Sequence, residues 1–111
     1  MIELKTPLAV VALRWVPESD GGRPSGPPTA PVYAATAAFC PGETVGPDAD
    51  LMSVLLQRTA SLPDGTETAN IGFLAPTLAE PHLTVGAPLL ITEGPKIVAH
   101  ATIQEVLHPR V

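Results

Sequence analysis

The chain is expected to be all-β, with short antiparallel strands closing a small barrel. Three observations lead there. Fourteen prolines in 111 residues punctuate the chain every several positions. That spacing excludes long helices and suits short strands joined by loops. The last third, Leu83 to Leu107, holds two runs rich in Val, Ile, Leu and Thr. They are Pro88 to Thr92 and Ile97 to Leu107, and Glu93-Gly94-Pro95-Lys96 separates them. Such runs fit a pleated surface, and Gly-Pro forces a reversal between them, so this is a β-hairpin. Finally, Ile97, Ala99, Ala101 and Ile103 share one face of the last strand, opposite His100, Thr102 and Gln104. Small residues on an inner face are what a tightly closed barrel accommodates.

Taken in order, Ile2 to Val16 is the first strand. Apolar residues occupy both of its parities: Ile2, Leu4, Leu8, Val10 and Ala12 on one, Val11, Leu13 and Trp15 on the other. Such a strand is covered on both faces for part of its length. Pro17 to Pro31 has almost nothing to bury and is expected to be an exposed, mobile loop. Val32 to Cys40 reads as a strand despite its alanines, and Pro41 to Ala49 as a loop. Leu51 to Arg58 fits a strand with Met52, Val54 and Leu56 on one face. It also fits two turns of helix capped by Asp48 or Asp50. The flanking turn residues favour the strand. Pro63-Asp64-Gly65 is a turn, and Glu67 to Ala75 alternates, with Ala69, Ile71 and Phe73 opposite Thr68 and Asn70. Pro76 and Pro81 bracket the connection to the final hairpin.

Composition excludes several functions. The 111 residues make one domain with room for a core. The net charge is −5, from 11 acidic and 6 basic residues, with no basic cluster. Phosphate backbones are held by Lys and Arg, so neither nucleic acid nor an anionic membrane is an expected partner. No apolar run approaches the roughly 20 residues of a membrane-spanning helix. The N-terminus, with Glu3 and Lys5, does not read as a signal peptide. A single cysteine, Cys40, excludes an internal disulfide, and a reducing, cytoplasmic location is expected.

Catalytic and cofactor patterns are missing as well. His82, His100 and His108 match no zinc spacing, and Cys40 has no positioned base beside it. There is no Gly-x-Ser-x-Gly elbow, and Gly21-Gly22-Arg23 is too short for a phosphate loop. The acidic residues sit at turns, where local backbone bonding and solubility explain them. The expectation is a non-enzymatic protein without metal, cofactor or GTP.

The final hairpin, with Leu83, Gly86, Leu89, Ile91, Glu93, Gly94, Lys96, Val98, Ala99, Ala101 and Ile103, resembles the C-terminal (third) β-barrel domain of translation elongation factor Tu. Asp20-Gly21-Gly22-Arg23 followed by Pro31 to Thr36 resembles that barrel's Gly-Gly-Arg loop and next strand. Pro63-Asp64-Gly65 with Thr66 to Pro76 fits a further turn and strand in the same order. The resemblance implies a barrel of about six strands used for contacts with aminoacyl-tRNA, an exchange factor or neighbouring domains. The family's GTPase chemistry belongs to a different domain. Its loop after Gly-Gly-Arg carries His, aromatics and Arg; here Pro24 to Pro31 carries none of these, and only Arg23 and Tyr33 correspond. The tRNA contact is therefore not carried over.

The preferred expectation is a stand-alone interaction module whose partner is a protein or a second copy of itself. An adaptor or immunity-type protein directed at a translation component is the alternative. An enzyme using Cys40 or a histidine pair is the third reading. Only 15% of residues are charged, where about a quarter is usual, so apolar surface is expected to be exposed. A barrel interior accepts only one parity of the first strand. Val11, Leu13 and Trp15 are thus expected to face a partner, with Arg23 and Tyr33 as further contact residues, in a homo-oligomer.

Overall fold

A computed structural model describes residues 7–23, 30–39, 51–94 and 96–107. Six strands lie among them: β1 (Ala9–Trp15), β2 (Val32–Ala38), β3 (Leu51–Ser61), β4 (Glu67–Phe73), β5 (Pro88–Glu93) and β6 (Lys96–Val106). They close into an antiparallel barrel in the order β1-β4-β3-β2-β5-β6, with β6 returning to β1. β2, β3 and β4 form a meander, and β5 returns beside β2, which is a Greek key. The return connection carries a single helical turn, α1 (Pro76–Ala79), and a 3-10 turn at Glu80–His82. Pro76 opens α1, where its missing N–H is not needed.

Leu51 to Arg58 is strand, continuing to Ser61. It pairs on both sides, with β2 and with β4, so sheet closure overrides the helix propensity of Leu, Met and Gln. Met52, Val54 and Leu56 all point inward and are buried. The turn after β3 forms as its residues dictate. The Asp64 carboxylate accepts the Thr66 N–H at 2.9 Å, and Gly65 takes φ +90°. In the last hairpin Glu93 pairs with Lys96 across a two-residue turn in which Gly94 has φ +60°.

The interior is filled from every strand, with Val11 and Leu13, Tyr33 and Ala37, Val54 and Leu56, Ala69 and Ile71, Leu89 and Ile91, and Ala101 and Ile103 all buried. One expectation is reversed here. Val11 and Leu13 are completely enclosed in the barrel and do not face a partner. The opposite parity, Val10 and Ala12, forms the partly covered outer face. The larger side chains fill the barrel, while Val10 and Ala12 leave little apolar area outside. The strand is apolar on both parities for that reason, without a second layer. Trp15 is half-buried at the mouth, packed against the same core.

The segment after β1 is exposed from Pro17 to Gly21, as expected, but its backbone closes on itself in a hydrogen-bonded turn, and Arg23 ties its end to β5. Asp20 and Gly22 both donate backbone N–H bonds of 2.9 Å to the Pro17 carbonyl around the 3-10 turn Glu18–Asp20. Gly21 turns the chain with φ +93°. Gly22 is buried, and Arg23 is ion-paired to Glu93. Residues 1–6, 24–29, 40–50 with Cys40, 95, and 108–111 with His108 lie outside the described residues, and with them the expected loop Pro41 to Ala49.

Candidate functional site

Alternation along each strand carries past the apolar core into a polar layer at one mouth of the barrel. Inward positions of β3 run Met52, Val54, Leu56 and then Arg58; those of β4 run back from Phe73, Ile71 and Ala69 to Glu67. Trp15 ends β1, Tyr33 is the second residue of β2 and Glu93 ends β5, so antiparallel pairing brings all five residues to the same end. Arg23 joins them from the turn after β1.

Contacts link the six continuously. Arg58 grips Glu67 with two bonds, Nε to Oε1 at 2.6 Å and Nη2 to Oε2 at 2.8 Å. The Trp15 indole N–H donates to Glu67 Oε1 at 3.0 Å. Trp15 meets Tyr33 edge to face at 5.8 Å. The Tyr33 hydroxyl donates to Glu93, which also accepts from Arg23 Nε at 2.7 Å. Each guanidinium lies over a ring, Arg23 over Tyr33 and Arg58 over Trp15. Charges at inward positions must be paired, and here they are.

Trp15, Arg23 and Tyr33 are thus brought together, while Val11 and Leu13 lie one layer deeper. Arg58, Glu67 and Glu93 were missed in the sequence. A charge at an inward parity of a strand was the available signal, and Glu67 and Arg58 both carry it.

The electrostatics hold every group in its resting state. The bond from Arg58, supported by Trp15, keeps the Glu67 carboxyl below the usual range against the effect of burial. The bond from Tyr33, with Arg23 beside it, lowers Glu93. Burial, and then the hydrogen bond to Glu93, raises the Tyr33 phenol. The bond to Glu93 raises Arg23.

Two expected outcomes follow. Both carboxyls are more acidic folded than unfolded. Their contribution is complete above the ordinary value of 4.5 and is lost as pH falls below it. The Tyr33 contribution is complete below its ordinary value of 10.0 and is lost as pH rises beyond it. Thermal unfolding followed across pH should show both declines, and Glu93→Gln should flatten each of them. Glu67→Gln removes the charged partner of the Arg58 bonds and weakens the acceptor for Trp15. It should cost about 2 kcal/mol, or roughly 10 °C in Tm. Replacing the pair together, Arg58→Met with Glu67→Leu, should recover most of that loss, because no unpaired charge is left.

At the opposite end, His82 stacks on Phe39 at 4.8 Å and Phe39 stacks on Phe73 at 5.8 Å. Four of the five exposed large apolar side chains among the described residues lie around this end, the fifth, Leu62, being in the β3–β4 turn. Leu51 starts β3, and Leu74, Leu78 and Val85 lie in the β4–β5 connection, with exposures of 59, 69, 63 and 66%.

A third feature lies on the barrel wall. Ala12 and Arg14 alternate outward from Val11, Leu13 and Trp15, and register sets them against Thr102 and His100 of β6. With Pro17 and Asp20 of the turn and Thr66, they line an open groove of 760 Å³. Among the described residues no group of three or more His, Cys, Asp or Glu side chains is placed to hold a metal ion. Nor is any helix among them long and apolar enough to cross a membrane. No protein-family model matches the chain, and no curated protein matches it in sequence.

Proposed function

We propose that this barrel is a non-enzymatic interaction module, and that its partner is a protein, in the first instance a second copy of the chain. The observation that carries this reading is the set Leu51, Leu74, Leu78 and Val85 at one end of the barrel. Burying such side chains yields about 1.5–3 kcal/mol each, so a surface that leaves four exposed favours association. The 15% content of charged residues points the same way. So does the resemblance to the third barrel of elongation factor Tu, a domain used for contacts. The polar mouth argues against catalysis. General acid–base work needs a group titrating near the operating pH, whereas Glu67, Glu93, Tyr33 and Arg23 are all driven away from neutrality. A cytoplasmic setting, with neither nucleic acid nor GTP as ligand, accords with the acidic composition and the single cysteine.

Sedimentation velocity at tens of micromolar tests the reading. More than one chain per particle is expected, and Leu74→Asp with Leu78→Asp should shift the protein to monomer without lowering its Tm. A clean monomer with no co-purifying partner would overturn it.

A further inference from the structure

We propose that the groove on the outer wall of β1 and β6 binds a monoanionic carboxylate that carries an apolar body. This site is separate from the leucine-bearing end. Its volume, 760 Å³, lies within the ~300–1,000 Å³ range of small-ligand clefts. Such clefts combine apolar walls with a few convergent polar groups. The apolar walls here are Ala12, Val16, Pro17, Ile97 and one side of Trp15. The polar groups are Arg14 and His100, which face each other directly across the two strands.

Opposed side chains of this kind sit about 4.5–5.5 Å apart at Cβ, so one small anion can reach the guanidinium and the imidazole together. Among the described residues, neither Arg14 nor His100 has a hydrogen bond or salt bridge. Asp64, exposed in the β3–β4 turn, feels the charge of Arg14 without forming a salt bridge to it. Both side chains line the groove, Arg14 exposed and His100 half-buried, in contrast to the ion-paired charges of the barrel mouth. A carboxylate accepts from a guanidinium and an imidazole N–H together. Asp20 at the Pro17 end of the groove, with the net charge of −5, disfavours polyanions. That selects a single carboxylate over a phosphate chain. The charged groups facing His100 are Arg14 on β1 and Asp20 on the turn; its β5 neighbour, Leu90, is neutral.

Trp15, the only tryptophan of the chain, lines the groove and reports occupancy by fluorescence. The intact protein is titrated with 4-phenylbutyrate and with its neutral counterpart 4-phenylbutanol. N-acetyl-Leu-Phe is compared with its C-terminal amide in a second arm. The acid forms should give a saturable change, at least about tenfold tighter than the neutral forms. Binding of phenylbutyrate assigns the site to free organic acids, and binding of the peptide acid alone assigns it to chain termini; either outcome supports the carboxylate site. Arg14→Gln should weaken binding at least about tenfold and Arg14→Lys much less, since Lys keeps the charge. His100→Gln should also weaken binding, by less than Arg14→Gln. Both side chains lie on the outer wall, so an unchanged Tm confirms that each variant is folded. No saturable change, equal binding of acid and alcohol, or undiminished binding by Arg14→Gln would each overturn the proposal.

Discussion

Leu13→Ala is expected to lower the unfolding free energy by about 3–4 kcal/mol and to leave the oligomeric state unchanged. Leu13 is wholly enclosed, between β4 at Glu67 and β6 at Ala101. Truncation removes its transfer free energy and opens a cavity that a closed sheet cannot collapse to fill. Domains of this size are stable by about 5–15 kcal/mol in total, so the loss is a large share. Urea unfolding should show a lower midpoint at unchanged slope. Sedimentation of the folded variant should match that of the parent protein. The opposite pattern, near-normal stability with dissociation, would return Leu13 to an interface and contradict the inward assignment of the β1 row.

Gly22→Ala is expected to cost about 3 kcal/mol, more than Gly21→Ala. A Cβ on Gly22 would lie 1.8 Å from the Val16 carbonyl oxygen, 2.6 Å from its carbon and 2.9 Å from the Pro17 oxygen. All three are backbone atoms, so no side chain can rotate away, and the turn itself must open. Opening removes the Gly22 bond to Pro17 and pulls Arg23 from Glu93. At Gly21 a Cβ meets nothing within 4 Å, and only its φ of +93° resists substitution. That costs about 1–2 kcal/mol. Thermal unfolding of the two variants gives the order directly. If Gly22→Ala is as stable as the parent, the close approach of Gly22 to the Val16 and Pro17 backbone is wrong.

The sequence by itself determined the strand nature of the chain, most of the turns and the inward face of nearly every strand. Alternation in Glu67 to Phe73, the Pro63-Asp64-Gly65 turn and the Glu93 to Lys96 reversal are local properties. Each arises from pleat geometry or from a backbone conformation that Gly, Pro and Asp favour. Parity in β3 was equally legible, with Met52, Val54 and Leu56 together on the buried side.

Tertiary structure alone decided three matters. Closure of the sheet chose which apolar row of β1 became interior, since both rows satisfied the same local pattern. It also made the residues of the barrel mouth neighbours. Glu67 and Trp15 are 52 positions apart, and Arg23 and Glu93 are 70 apart. Their pairing depends on strand order around the barrel, which no local spacing encodes. And it placed Arg14 opposite His100, because cross-strand register is set by the β6 bulge between Glu105 and Ile103 as much as by either strand's own residues. Local composition governs backbone conformation over a few residues. Which distant side chains meet is settled only when the last strand closes on the first.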